Sequence, residues 1–146
     1  MSDTTICQQS AAVTTIRVLV VFDAATFVLA AMLHLGVRVP LGFAVLAEPR
    51  IIPASIVEGL CGLFLAVSVY ALLNRQSWGW LITTAAHVFA LAGVLLGMFS
   101  LAIGFGPRTE LNDIYHRLML LLLIIGLVLL LTPIARSSLG RCHPAV

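Results

Sequence analysis

Four long stretches of almost continuous apolar residues dominate the chain, and short segments rich in polar residues, glycine and proline separate them. The stretches cover approximately residues 16–36, 51–73, 78–105 and 111–134. An α-helix needs about 20 mainly apolar residues to cross the hydrocarbon core of a bilayer, whereas membrane strands alternate in segments of about ten residues. The pattern therefore predicts an all-α fold, an integral membrane antiparallel four-helix bundle that forms a single domain over residues 1–146.

The ends of the predicted helices carry signals of their own. Gly36 ends the first stretch, and Pro53 lies in the first turn of the second, where the missing N–H costs nothing. Trp78 opens the third stretch with an indole ring, which favours a membrane interface. Thr109 is a plausible N-cap of the fourth helix, and Glu110 in its first turn suits the helix dipole.

Composition excludes a water-soluble globular domain and limits the number of spans. The 146 residues are 61% hydrophobic and 10% charged, with a mean hydropathy of +1.12. Four spans fit this length and six do not. A net charge of +2 without a basic stripe argues against nucleic acid as a partner. The three cysteines, Cys7, Cys61 and Cys142, form no C-x-x-C pair, and we expect Cys61 to pack as a small hydrophobic residue.

Arginine supplies every basic side chain, and its distribution sets the expected orientation. One side would hold both termini with Arg17, Arg75, Arg136 and Arg141; the other would hold Arg38, Arg50, Arg108 and, just inside, Arg117. We predict a multi-pass protein of the bacterial inner (plasma) membrane with both termini cytoplasmic. The first stretch is interpreted as a retained span, because no basic residue precedes it within residues 1–10.

Ionisable residues inside the predicted spans are the main candidates for function. At 1.5 Å of rise per residue, His34, Glu58 and His116 reach similar depths from the face with the long loop, and Asp23 and His87 lie nearer the middle. A charge in hydrocarbon costs about 3 kcal/mol or more, so these groups should face the bundle interior. The sequence predicts a polar column through the bundle.

Within this column, Glu58, His116 and Asp113 are candidate acid, base or proton-relay residues, and Asp113 shares a helical face with His116. Each has a structural alternative. Glu58 would be a hydrogen-bonded or protonated carboxyl, and His116 would tie helices through Asp113 or Glu58.

The remaining polar residues have alternatives too. His87 would donate to Asp23, Thr83 or Thr84, and His34 would lie at the interface. Arg75 is the expected mate of Asp23, since Arg17 at i, i+6 does not face it. Arg117 would extend to the interface or pair with Asp113.

Two kinds of bound group are compatible with these side chains. His34 with His116, or His87 with His116, would ligate haem b from facing helices. His34, Glu58 and His116 together are a ligand set for a divalent metal such as zinc or iron. No H-x-x-x-H or E-x-x-H pair lies on one helix, so neither cofactor is indicated by local spacing.

Small residues line one stripe of the third helix and allow a close backbone contact. Gly93 and Gly97 form a G-x-x-x-G spacing, which brings another helix close either within the bundle or between protomers. Possible partners are therefore membrane lipid, a second copy through Gly93 and Gly97, or a larger membrane complex.

The segment 53–67, followed by a turn with an arginine, resembles small four-helix membrane proteins of the DoxX-like type. The matching positions are Glu58, Gly59, Gly62 and Arg75, over about a third of the chain. The resemblance implies an accessory or redox-linked subunit of sulphur or thiol oxidation. The segment 106–117 instead resembles unassigned actinobacterial membrane proteins.

Three functions remain open from the sequence. The first is binding of a small ligand or cofactor at the His/Glu/Asp cluster in a redox- or proton-linked accessory role. The second is a proton-coupled carrier of small hydrophobic or cationic molecules that uses Glu58. The third is a membrane isomerase or cyclase that acts on a lipid-like substrate through Glu58 and His116.

Overall fold

The computed structural model describes residues 11–140, with side chains through residue 139; Cys7, Arg141 and Cys142 lie outside the described residues. This part of the chain contains four long helices, one short helix and a two-stranded hairpin. Their bounds are α1 Ala11–His34, β1 Val39–Pro40, β2 Val45–Leu46, α2 Ile52–Leu73, α3 Gly79–Ala102, α4 Glu110–Leu130 and α5 Pro133–Gly140.

The prediction of an all-α fold is confirmed, and α1 to α4 are each long and apolar enough to cross a membrane. Two helix ends differ from the prediction. The first helix begins five residues earlier, at Ala11, whose carbonyl oxygen accepts a bond from the Thr15 hydroxyl at 3.0 Å. The fourth ends earlier, at Leu130, because the Thr132 hydroxyl accepts the amide of Ala135 and starts α5.

The four long helices form a ring in which each packs against the next, and α4 returns to α1. Contacts along the helices run in opposite directions: position 62 of α2 lies against residue 28 of α1, and position 58 against residue 34. The α3–α4 pair shows the same reversal. Successive helices are therefore antiparallel, as expected for an up-and-down bundle.

Two predicted signals at the helix starts are confirmed, and further bonds join the helix ends to their neighbours. Pro53 lies in the first turn of α2. The Thr109 hydroxyl caps α4 by accepting the amide of Asn112 at 3.1 Å, and it donates to the Glu48 carboxylate at 2.7 Å. At the other end, the Trp80 indole N–H donates to the carbonyl oxygen of Leu130 at 2.8 Å. These bonds join the long loop to α4, and α3 to the end of α4.

The long connection between α1 and α2 folds back over the end of the bundle, an arrangement the sequence pattern did not predict. Its β1–β2 hairpin turns at Gly42, which has φ +86°, and exposes Phe43 at the tip. The loop then returns to α1, where the amide of Ile51 donates to the carbonyl oxygen of His34 at 3.0 Å. The loop thereby covers the part of the bundle that holds Glu58.

Replacing Thr109 by alanine tests the bond between loop and helix. The change removes both the N-cap of α4 and the donor to Glu48, so we expect the free energy of unfolding to fall by about 1–2 kcal/mol. The measurement is thermal or denaturant unfolding in detergent. Ser100→Ala is the control, because the Ser100 hydroxyl bonds only to Leu96 of its own helix; an equal loss in both variants would contradict the cap.

Candidate functional site

A cavity of about 180 Å³ lies between α2, α3 and α4, next to the covering loop. Its wall is mainly apolar and includes Leu96, which is 55% exposed at the outer surface of α3. Five polar side chains line it; Ser100 is half-buried, and the other four are buried: His34, Glu58, Asn112 and His116. Three residues that the sequence predicts at one depth are thus brought to one cavity.

Glu58 is the acidic group of this cavity. Its Oε1 atom lies 3.7 Å from His34 Nε2, and its Oε2 atom is buried with no hydrogen-bond partner among the described residues. Tyr115 and Glu48 are within electrostatic range of the carboxyl. No arginine lines the cavity in the part of the chain that the structure describes. The carboxyl therefore has free capacity to accept hydrogen bonds and no fixed positive charge beside it.

Hydrogen bonds to the backbone fix the form of both cavity histidines. His34 Nδ1 lies 3.2 Å from the carbonyl oxygen of Pro49, and His116 Nδ1 lies 2.9 Å from that of Asn112. Because a carbonyl oxygen only accepts, each Nδ1 carries the proton, and in the neutral ring Nε2 is a bare acceptor. The cavity consequently presents the Glu58 carboxyl and the Nε2 acceptor of His34, whereas His116 Nε2 abuts Gly97 of α3.

A second pair lies deeper in the bundle, between α1 and α3. Asp23 Oδ2 is 3.7 Å from His87 Nε2, and both side chains are fully buried. His87 Nδ1 is bonded to the carbonyl oxygen of Thr83 at 2.9 Å, so its Nε2 is again an acceptor. At 3.7 Å the two atoms do not form a hydrogen bond, and neither the Asp23 oxygens nor His87 Nε2 have a hydrogen-bond partner among the described residues. Of the predicted alternatives for His87, contacts with Asp23 and with the Thr83 backbone are both present.

Two glycines make room for the rings of His87 and His116, and each glycine lies on the helix that carries the other histidine. A Cβ atom at Gly126 of α4 would lie 2.8 Å from His87 Nε2 of α3. A Cβ atom at Gly97 of α3 would overlap His116 Nε2 of α4. Each histidine is followed ten residues later by the glycine that receives the other ring. The repeated H-x₉-G spacing is the sequence signal that could have identified these glycines.

Tyr115 is a further polar residue that the sequence reasoning missed. Its ring meets Phe27 edge to face at a centroid distance of 6.2 Å. The hydroxyl is buried, lacks a hydrogen-bond partner among the described residues, and lies within electrostatic range of both Glu58 and Asp23. Tyr115 thus places a further unpaired polar group inside the bundle, beside Phe27 of α1. It immediately precedes His116, but nothing in the hydrophobic pattern distinguishes it.

Asp113 is not among the residues that line the cavity, and its acid–base role beside His116 stays a prediction. Its carboxylate pairs with Arg108 at 2.7 Å, in a partly exposed position, instead of with Arg117 or His116. The bond from Asp113 also raises the pKa of the Arg108 guanidinium. Arg75 is exposed in the turn after α2 and makes no ion pair with Asp23, whose neighbour is His87. At the ends of the bundle, Arg108 is thus paired with Asp113, and Arg75 is exposed to solvent.

The two predicted bound groups do not fit the arrangement. A haem is far larger than a cavity of about 180 Å³, and the rings of His87 and His116 are each packed against a glycine of the facing helix. Among the described residues, no group of three histidine, cysteine or acidic side chains is placed to hold one metal ion. The predicted set of His34, Glu58 and His116 is therefore not a metal centre in this geometry.

Gly93 and Gly97 make their close contacts inside the chain. A Cβ atom at Gly93 would lie 2.9 Å from the sulfur of Cys61 on α2, and Gly97 receives His116. Of the two predicted uses of the G-x-x-x-G spacing, the structure shows the one within the bundle. Cys61 itself is a free, buried thiol, as expected for a small core residue. A homodimer stays a prediction, and these glycines already face other helices of their own chain.

Comparisons with protein-family models, curated proteins and solved structures find no match for this chain. The resemblance to DoxX-like proteins therefore stays a prediction. Of its four positions, Glu58 lies in the cavity, Gly62 packs against the backbone of Val28, Gly59 faces Ala31 loosely, and Arg75 lies in the turn with φ +50°.

Gly126→Ala tests the space reserved for His87. The new methyl group would collide with the imidazole, and overpacking of this kind costs about 1–3 kcal/mol of unfolding free energy. Gly59→Ala is the matched control, because its Cβ would be 3.9 Å from Ala31 and the change favours helix formation. Thermal unfolding in detergent measures both. Equal stability of the two variants would contradict the packing.

Asp23→Asn and Asp23→Leu test whether the side chain at position 23 interacts with His87. An asparagine amide can donate to His87 Nε2 without an added proton, so we expect stability within about 1 kcal/mol of the wild type. Leucine leaves Nε2 unpaired and should cost about 1–3 kcal/mol. Unfolding of the two variants in parallel gives the comparison; greater stability of the leucine variant would reject the pairing.

Proposed function

We propose that the chain is a multi-pass protein of the bacterial inner membrane, an integral membrane antiparallel four-helix bundle with both termini cytoplasmic. Four helices of sufficient length and apolar character support this proposal. Their outward surfaces are rich in exposed leucine, isoleucine, valine and phenylalanine, which favours contact with lipid. The Glu58 cavity would then lie in the outer half of the bilayer, beneath the loop.

Within the membrane, we propose that the cavity binds a small primary ammonium compound in exchange for a proton. The observation that carries the proposal is the buried Glu58 carboxyl, whose Oε1 atom lies beside His34 Nε2 and whose Oε2 atom has no hydrogen-bond partner among the described residues. A primary ammonium has three N–H donors and one positive charge. It can donate to both Glu58 oxygens and to His34 Nε2, and it supplies the counter-charge that a buried carboxylate needs.

The exchange is balanced in charge and atoms. In the empty cavity the Glu58 carboxyl keeps its proton, because an unpaired carboxylate in this apolar wall is costly. When the ammonium enters, the O–H bond of the carboxyl breaks, the proton leaves to water, and the carboxylate pairs with the cation. The cavity is neutral before and after, so no net charge is buried at either stage.

The apolar wall suits the remainder of such a ligand. Exposed Leu96 and Phe105 lie at the surface side of the cavity, and Val57 and Leu101 line it further in. An aryl or short alkyl group would contact these side chains while the ammonium reaches Glu58. A volume of about 180 Å³ favours a molecule of this size over a lipid-like substrate, and so favours binding over the isomerase or cyclase alternative.

The same exchange is the chemistry that a proton-coupled carrier needs, and this is the second candidate function. Occupancy of Glu58 by either a proton or a cation, but not both, is the specific feature that favours it. A redox-linked accessory role, which the DoxX resemblance implies, depends on a partner complex and stays a prediction.

Benzylamine is the probe that tests the binding proposal, with benzyl alcohol as the neutral comparison. We expect benzylamine to bind the purified protein in detergent with release of about one proton per site, and benzyl alcohol to bind much more weakly. Glu58→Gln should weaken benzylamine binding by about a hundredfold or more, since a loss of about 3 kcal/mol follows removal of a buried charged partner. Calorimetry and a pH-sensitive dye in weak buffer measure affinity and proton release.

Glu110→Gln is the matched control for Glu58→Gln. It removes one carboxylate from the exposed first turn of α4, outside the cavity, and should leave affinity and proton release unchanged. An equal loss of benzylamine affinity in Glu58→Gln and Glu110→Gln would show that the effect comes from net charge alone. Equal affinity of wild type for benzylamine and benzyl alcohol would reject the proposal.

A further inference from the structure

An open groove at the opposite end of the molecule, between the beginning of α3 and the short helix α5, is independent of the Glu58 cavity. Its volume is about 850 Å³. Both polar and apolar side chains line it: Ser77, Trp80, Leu81, Pro133, Ile134, Arg136 and Ser137. The predicted spans end here, so the groove would lie where lipid headgroups begin.

Arg136 is the charged group of the groove. Its guanidinium lies over the Trp80 ring, 5.0 Å from the ring centroid. Trp80 is itself held by the bond from its indole N–H to Leu130, so the stacked arginine has a fixed support. No carboxylate within residues 11–139 is paired with Arg136. The guanidinium therefore keeps its hydrogen-bond donors for another acceptor.

Charge at this end of the bundle has one sign. The described ionisable side chains near it are arginines: Arg17, Arg75 and Arg136. The described acids lie elsewhere, with Glu48, Glu58, Glu110 and Asp113 towards the other end and Asp23 enclosed in the middle. Within residues 11–139, no surface carboxylate lies near the groove to repel an anion.

The apolar side of the groove continues into the lipid-facing surface. Leu81 of α3 is 64% exposed and Ile134 of α5 is 58% exposed. An occupant with a hydrocarbon chain would lie along these two side chains while its head remained beside Arg136. A soluble anion would leave them uncovered.

We propose that this groove binds an anionic phospholipid, with the headgroup phosphate accepting hydrogen bonds from Arg136 and Ser77 and an acyl chain lying along Leu81 and Ile134. Arginine presents several donors in a plane that suits phosphate oxygens. The preference for an anionic over a zwitterionic lipid would come from the local excess of arginine. The inference does not depend on what the Glu58 cavity binds.

Quenching of Trp80 by brominated lipids measures this binding directly. The chain has two tryptophans, so Trp78→Phe leaves Trp80 as the reporter. In phosphatidylcholine vesicles, we expect brominated phosphatidylglycerol to quench Trp80 with several-fold higher apparent affinity than brominated phosphatidylcholine. Arg136→Gln should reduce this preference by roughly fivefold, and Arg136→Lys should retain most of it.

Arg38→Gln is the matched control, since it removes one exposed arginine from the opposite end. In the Trp78→Phe background, Arg38→Gln should prefer phosphatidylglycerol as strongly as Trp78→Phe alone. Equal loss in Arg38→Gln and Arg136→Gln, or an unchanged preference in Arg136→Gln, would overturn the site. Displacement of the brominated lipid by glycerol phosphate in solution would also overturn the proposal, because it would show a phosphate site that needs no acyl chain. Circular dichroism checks that each variant is folded.

Discussion

The structure depends on one constraint: polar side chains enclosed among apolar helices need partners inside the bundle, because hydrocarbon offers none. The three buried histidines find a partner for one of their two ring nitrogens in the same way. Each bonds Nδ1 to a backbone carbonyl oxygen, two of them within their own helix turn and His34 to Pro49 of the covering loop. The position and tautomer of each ring follow from that bond.

The other half of each imidazole explains why the polar groups converge. With Nδ1 occupied, every Nε2 atom points across to another helix, and two of the three lie opposite a carboxyl group. His34 with Glu58 joins α1 to α2, and His87 with Asp23 joins α3 to α1. Each of these two contacts between helices places a carboxyl group beside an imidazole, at 3.7 Å in both pairs.

Much of the fold could be predicted from the sequence, because continuous apolar runs have few alternatives. Pro53 and Thr109 marked their helix starts correctly, and helical rise alone placed Glu58, His34 and His116 at one level. The covering loop and α5 were not predicted. Their positions depend on tertiary bonds, such as that between Glu48 and Thr109, and residues 61 positions apart leave no periodic signal.

The site was predicted less completely, because the sequence does not fix the rotation of each helix about its own axis. Depth follows from residue number, but the direction of a side chain around its helix depends on which neighbours pack there. Asp113 and Asn112 are adjacent, yet Asn112 lines the cavity and Asp113 turns to Arg108. Tyr115 was missed for the same reason. Gly97 was predicted to approach a backbone and instead receives a ring.

The two contacts between a histidine ring and a glycine on α3 and α4 also limit sliding of one helix along the other. His87 enters the space at Gly126 while His116 enters the space at Gly97, and the helices run in opposite directions. Sliding one helix by a single residue, about 1.5 Å, would take both imidazoles out of the spaces at the two glycines at once. The two contacts therefore oppose sliding of α3 along α4.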